Sequence, residues 1–556
     1  MATTSLNEPR FPGTTSIRNL PVEVLLRHTA LPPDRDIIEQ LVSDTEKKLA
    51  GYQVQIDKLR VSLTFLEYKR DGLKKKLSQY RSLLSPVHRL PPEILQNIFT
   101  MFNDLLEEER WLRPSEMAPA LAVSRVCGRS RDIALSIPSI WSSVAIRFEE
   151  WNDQEYRRMN LLTRLYVDHS QKSPLNLILH FDKLLNLDYN VGTIPIPILK
   201  TLVQHSERWH TIEFRFITQA VMAHQVFKPI TGHLPILTSL RLFGQGGRSL
   251  DFRCNLFSDC PALSSLSFEP AGPLTVHCPL PWRQIKSLQI ENAFLSSMIS
   301  TASLCPRTER LAIKWCGGGT YTGNHLSIPH VTRLSIVAED ADEAYCAFKH
   351  LTLQGLSSLE ISCTSDDDEG EVEDITWKDW NERHIVDFFR RSSGCLITSL
   401  SLKYVPISGK QLIQFLHFMP ALSSLRLEES SHRKSTRTIT RQFLQRLTID
   451  DMEASPFLPK LTDIRLVLRE DGLAESVLPN ALISRWIPDD TKFKTGVKCI
   501  KSVDVVFIAE SKEIAGILTS KLRLLRDAGV RVTVTMRIQE AVDGDRYHDY
   551  DMPISN

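Results

Sequence analysis

Leu234-Pro235-Ile236-Leu237-Thr238-Ser239-Leu240-Arg241-Leu242 decides how most of this chain folds, because the same pattern keeps returning. It recurs as Cys260-Pro261-Ala262-Leu263-Ser264-Ser265-Leu266-Ser267-Phe268 and as Met419-Pro420-Ala421-Leu422-Ser423-Ser424-Leu425-Arg426-Leu427. A further copy is Leu458-Pro459-Lys460-Leu461-Thr462-Asp463-Ile464-Arg465-Leu466. Each copy ends in two apolar residues that flank an outward one, the alternation of a short strand with one covered face. The first apolar residue of this core falls at Ile212, Leu240, Leu266, Leu288, Leu311, Leu334, Leu359, Leu400, Leu425 and Ile464. Most gaps lie between 22 and 28 residues, and two long ones of 41 and 39 hold insertions.

This spacing resembles the leucine-rich repeat, whose period is about 20–29 residues. One L-x-x-L-x-L unit cannot bury its apolar face alone, so the resemblance implies neighbours stacked into a curved α/β solenoid. An earlier strand, Leu175 to Phe181, is expected to open the array, which runs over residues 151–538. A strand near Val503–Ile508, a helix near Ser511–Arg526 and a strand at Val530–Arg537 should cap it. The outward row contains Arg215, Arg241, Glu269, Glu291, Lys314, Lys403, Arg426 and Arg465, the candidate face for a target protein. A solvated sheet face without a partner is the alternative for any one of them. The first long gap carries Asp366-Asp367-Asp368-Glu369-Gly370-Glu371-Val372-Glu373-Asp374 and is read as a mobile acidic loop over about 364–376. The second carries Arg433, Lys434, Arg437 and Arg441 and is read as a surface loop, with a phosphorylatable or acidic-peptide-binding loop as the alternative. Residues 1–33 and 539–556 are expected to be a flexible lead and a disordered tail.

Ahead of the repeats, residues 34–85 predict a coiled-coil helix. One heptad position reads Val42, Leu49, Ile56, Leu63, Arg70, Leu77 and Leu84; the other reads Ile38, Thr45, Tyr52, Leu59, Leu66, Leu73 and Tyr80. Gly51 and Gly72 are candidate bends. The seam needs a partner: a second copy in a parallel homodimer, or the rest of the same chain. Lys74-Lys75-Lys76 reads as a solvated face and is assigned no function.

Between helix and repeats stands Leu90-Pro91-Pro92-Glu93-Ile94-Leu95-Gln96-Asn97-Ile98-Phe99, followed by Val126-Cys127, Ile133-Ala134 and Pro138-Ser139-Ile140-Trp141. The prolines and Glu93 suit the first turn of a helix, and Val123–Cys127 with Ile133–Leu135 read as a second helical segment. The set resembles the F-box over residues 86–150, with Ser130 where that family usually has tryptophan and a longer insertion at Asn103–Met117. The whole layout resembles the F-box proteins of mushroom-forming fungi. The resemblance implies a substrate-recognition subunit of a Skp-cullin-F-box ubiquitin ligase. It further implies that Leu90, Pro91, Pro92, Ile94, Leu95, Ile98, Phe99, Val126 and Trp141 dock on a Skp-type adaptor, and through it on a cullin; a core position in a small helical domain is the alternative for each, and for Phe99 and Trp141 the two readings are compatible. The alternative is a ligase-independent repeat scaffold whose F-box is degenerate.

Composition is that of a globular protein, with 42% hydrophobic and 24% charged residues and a net charge of +1. That balance predicts no nucleic-acid partner, and no apolar run is long enough to predict a membrane span. The ten cysteines show no C-x-x-C pair or metal spacing, so reduced thiols in a cytoplasmic or nuclear protein are expected. Gly317-Gly318-Gly319-Thr320 lacks the rest of a phosphate-binding loop, and Asp489-Asp490 has no second convergent group. No enzyme activity, cofactor or metal is expected.

Overall fold

The computed structural model describes residues 32–538 apart from 106–110, 114–117, 182–194, 245–254, 271–278, 364–376, 431–436, 450–455, 470–476, 487–495, 510–512 and the single or paired positions 150, 320, 322, 378–379 and 381. The expected flexible lead up to residue 31, the acidic loop, the 539–556 tail and Arg433 and Lys434 lie outside the described residues. The chain forms two units, Met1–Leu95 and Gln96–Asn556.

The first unit is dominated by helix α1, Pro32–Leu83. It runs unbroken through Gly51 and Gly72, and a Cβ added at either would meet nothing within 4 Å. Its last turn tightens, with Leu84 N–H donating to Arg81 O (3.1 Å) and Ser85 N–H to Ser82 O (3.0 Å), and Pro86 prevents continuation. The heptad seam of α1 is exposed: Leu49, Leu59 and Leu73 are each about two-thirds accessible, at 67%, 69% and 67%. Val54, Val61, Phe65 and Tyr68 form a shorter exposed apolar row on another side.

Helix α2, Pro92–Leu105, contains the division between units. The second unit is α/β. Among the described residues its main sheet has 15 strands, all parallel and each paired with the next strand of that sheet in chain order. They are β1 Trp111–Leu112, β2 Ser143–Arg147, β3 Leu175–His180, β4 Trp209–Ile217, β5 Ser239–Gly244, β6 Ser265–Phe268, β7 Ser287–Glu291 and β8 Arg310–Lys314. Then come β9 Arg333–Ala338, β10 Ser358–Cys363, β11 Ser399–Lys403, β12 Ser424–Glu428, β13 Asp463–Arg469, β14 Ser502–Ala509 and β15 Arg531–Ile538.

The inward residues of the repeated core lie in register. Ile212, Leu240, Leu266, Leu288, Leu311, Leu334, Leu359, Leu400, Leu425 and Ile464 form one row, and Phe214, Leu242, Phe268, Ile290, Ile313, Ile336, Ile361, Leu402, Leu427 and Leu466 the next. All are buried. A third row enters three residues ahead of each strand core: Leu237, Leu263, Ile285, Val331, Leu356, Ile397, Leu422 and Leu461. Thr308 stands in this row, buried, with its hydroxyl donating to Cys305 O at 2.8 Å. Burying one such aliphatic side chain contributes about 1.5–3 kcal/mol, while ordering each residue costs about 1–2 kcal/mol of backbone entropy. A unit of more than twenty residues therefore holds only when both sides are covered by neighbours.

A polar spine runs beside these rows. The N–H of Ser357 donates to Thr332 O (3.0 Å), Thr398 to Ser357 O (2.8 Å), Ser423 to Thr398 O (2.8 Å) and Thr462 to Ser423 O (2.8 Å). The four hydroxyls donate to the same carbonyls. Threonine or serine between the leucines thus satisfies backbone acceptors at each turn.

Both long gaps leave the register intact, since β10 pairs with β11 and β12 with β13. After the acidic stretch the chain returns with Trp377 and Trp380 buried and stacked at 5.5 Å. The second gap is more ordered than a surface loop. The buried Glu429 carboxylate accepts the N–H groups of Thr438 (3.0 Å) and Ile439 (2.8 Å), and Thr440 caps a helix over Arg441–Leu447. Arg485, which follows β13, is fully buried and binds the end of this insertion. Its guanidinium donates to the carbonyls of Leu447 (2.8 Å), Leu458 (3.0 Å) and Phe457 (2.6 Å), and burial pushes its pKa down to about 10.

Two expectations about boundaries are corrected. The sheet opens at Trp111–Leu112, inside the stretch read as an insertion, rather than at Leu175. A boundary at residue 150 falls within one continuous sheet, because β2 pairs with β3. The cap of strand, helix (Glu513–Asp527) and strand continues the same parallel order.

Replacing Arg485 with leucine strips the donor from three buried carbonyls, each worth ~1 kcal/mol or more, while relieving the cost of a buried charge. The expected result is a net loss of about 2–3 kcal/mol, read as a lower urea midpoint with an unchanged m-value.

Candidate protein-binding surfaces

Helix α2 is apolar on two sides. Leu95, Phe99 and Asn103, spaced four apart, are buried. Ile94, Ile98, Met101 and Phe102 form a second stripe at helical spacing and are exposed, Met101 to 63%. Pro91 and Pro92 are exposed and Leu90 is half-buried. The following helical segment is two helices, α3 Pro119–Ser124 and α4 Gly128–Leu135, with Val126 on the connection and 73% exposed.

The nine residues expected to dock an adaptor therefore divide. Ile94, Ile98, Val126 and the two prolines stand on the surface, whereas Leu95, Phe99 and Trp141 are core residues. Trp141 is 1% exposed, and its indole N–H donates to Ala134 O at 2.8 Å. Its ring packs edge-on against Tyr166 (5.1 Å) and tilted on His169 (5.0 Å), both on helix α5, Asp153–His169. Met101 and Phe102 belong to the exposed stripe but were not expected there. Their i+7 and i+8 spacing from Ile94 carried the signal.

Ser130 is buried in the first turn of α4. Cys127 caps this helix, its sulfur accepting from Ser130 N–H at 3.3 Å and lying 3.2 Å from the Ser130 hydroxyl. These hydrogen bonds lower the Cys127 pKa; the backbone N–H and charge of Arg129 act in the same direction, and burial acts against them.

The outward face of the sheet carries two rows. Arg241, Arg426 and Arg465 lie between the inward residues; Arg215, Glu291, Lys314 and Lys403 lie one position beyond the second inward row. Glu269 follows the end of β6, where burial raises its pKa. Most of these charges are paired across strands. Glu213, nearly buried, receives both Arg215 and Arg241, the latter at 3.3 Å. Lys314 meets Glu291 (3.0 Å) and Lys403 meets Glu360 (2.8 Å). Arg465 bridges Glu428 (3.6 Å) and Asp504 (2.8 Å). Arg426 is exposed between Ser401 and Arg465. The acidic partners Glu213, Glu360, Glu428 and Asp504 were not among the expected row, because cross-strand pairing depends on the strand register and leaves no local trace in the sequence.

An aromatic group sits where the sheet begins. Trp111, Ala145, Ile178 and Glu213 share one outward row. His180 packs edge-on against Trp111 (5.7 Å) and Phe216 (4.8 Å), and the Arg215 guanidinium lies 6.0 Å from the Trp111 ring centre. Phe216 adopts φ +53° at a register shift in β4, which turns a third aromatic ring to this side. Tryptophan and arginine at one partly exposed spot is the chemistry of an interface centre.

Among the described residues no group of His, Cys, Asp and Glu is placed to hold a metal ion, and no helix is long and apolar enough to cross a membrane. No protein-family model matches the chain, and no curated protein matches it.

Trp141→Phe keeps the ring contacts and removes one buried hydrogen bond, so a loss of about 1–2 kcal/mol is expected. Trp141→Ala should cost about 3–5 kcal/mol. Chemical denaturation of the two variants beside the wild type checks the ratio.

Proposed function

We propose that this chain is a non-enzymatic substrate-recognition subunit of a Skp-cullin-F-box ubiquitin ligase, built on an F-box-like helical segment and a leucine-rich-repeat solenoid. The observation that carries the reading is the uncovered apolar stripe of α2, Ile94, Ile98, Met101 and Phe102. A soluble helix that leaves one apolar stripe in water while burying the other has a surface suited to a partner helix or groove. In this reading that partner is the Skp-type adaptor. Val126 adds to the same surface chemistry, and Leu95, Phe99 and Trp141 support it from the core.

The sheet face then holds the target protein. Its charges are largely self-neutralised, which keeps the face soluble and sets register more than affinity. Binding energy is better supplied by the group of Trp111, His180, Phe216 and Arg215, with Arg426 as a second exposed cation. The chain contributes proximity: a bound target's lysines are held at high effective concentration near a charged ubiquitin-conjugating enzyme. Catalysis takes place on other subunits.

Co-purification of the full chain with the adaptor and cullin tests the reading. Wild type should retain the adaptor, and Ile98→Asp/Met101→Asp should lower retention at least 100-fold while urea denaturation stays near wild type, since both residues are exposed. Failure of the wild-type chain to retain any adaptor would leave a ligase-independent scaffold.

A further inference from the structure

The seam of α1 is apolar, exposed along its length and long: Val42, Leu49, Tyr52, Ile56, Leu59, Leu63, Leu66, Leu73, Leu77 and Tyr80 are all open to solvent. Charge is distributed along the helix with a strong polarity. From Arg35 to Glu46 it carries Asp36, Glu39, Asp44 and Glu46 against Arg35 with Lys47 and Lys48 just beyond; from Lys69 to Arg81 it carries Lys69, Arg70, Lys74, Lys75, Lys76 and Arg81 against Asp71. Its acidic beginning therefore complements its own basic end.

We infer that α1 pairs with α1 of a second copy of this chain in an antiparallel coiled coil. The positions flanking the seam decide between the two orientations. In a parallel homodimer, Lys69 would face Lys74 of the second copy and Lys76 would face its Arg81, and each such contact occurs twice. Arg70, in the seam, would meet Arg70. No pair of opposite charges offsets these contacts across the interface.

Antiparallel, with Leu49 against the second copy's Leu73, Ile56 against its Leu66 and Leu59 against its Leu63, the same positions change partners. Glu46 faces Lys74 and Glu39 faces Arg81, again twice each. Arg70 meets the face of Tyr52, where a cation is favourable, and Thr45 meets Leu77. Lys48 with Lys76, and Arg60 with its own copy, remain as like-charge contacts. This arrangement differs from the parallel homodimer expected from the heptads, and it stands apart from the ligase reading.

Three measurements on the full chain test it. Light scattering should give a dimer; a monomer, or a higher oligomer, overturns the inference. A benzoylphenylalanine at position 49 should photo-crosslink to the second copy near Leu73, whereas a link to the second copy near position 49 indicates a parallel pair and overturns it. Lys74→Glu/Arg81→Glu should weaken dimerisation about tenfold, the sum of several exposed ion pairs replaced by repulsions. Adding Glu39→Lys/Glu46→Lys should restore it, which shows that both variants fold. Tighter dimerisation by Lys74→Glu/Arg81→Glu alone would contradict the antiparallel arrangement, because in the parallel one those changes turn repulsions into attractions.

Discussion

Everything in the second unit depends on the stacking of inward aliphatic residues between successive parallel strands. Each strand is short, some only four or five residues, and its apolar residues are covered only because the strands before and after lie in register. This makes the constraint one-dimensional: a residue in the row affects its two neighbours far more than distant repeats. It also explains why insertions as long as those between β10 and β11 and between β12 and β13 are accommodated. Loop closure cost rises slowly with length, so added chain is tolerated wherever the strand cores still meet.

The rows themselves were legible in the sequence because leucine and isoleucine at fixed spacing leave a periodic trace. Features without a period were not. Trp111–Leu112 is too short for alternation to show, so the opening strand passed as an insertion. The serine and threonine spine hides among residues that resemble ordinary loop composition, although their hydroxyls and N–H groups tie four successive turns. Arg485 reads as a surface cation until its three carbonyl partners, drawn from two segments ahead of β13, are brought around it.

The segment from Leu90 to Trp141 was legible in a different way. A motif specifies which residue types recur at which positions, but it does not distinguish a side chain that supports a surface from one that forms it. Along α2 the distinction follows from helix geometry: Leu95 and Phe99 share one face, while Ile94 and Ile98 begin another that continues through Met101 and Phe102. A large aromatic near a motif's end suits either role, and Trp141 was open to both. Its indole N–H, donating to Ala134 O, places it in the core.

The α1 seam and the α2 stripe are both apolar and exposed, and they differ in kind. The α2 stripe is a single patch with no charge polarity along it, so nothing in it favours a copy of itself. The α1 seam is periodic, and its two ends carry opposite charge, so it is complementary to itself in one orientation. Apolar area supplies the drive to associate in both cases and is indifferent to direction. Direction comes from the charged positions beside the seam, where individual pairs are weak but every pair is duplicated by the twofold symmetry of a dimer. An excess of acid at the start of a helix and of base at its end also suits the helix dipole. The same distribution that stabilises α1 as a helix therefore disfavours two copies lying parallel.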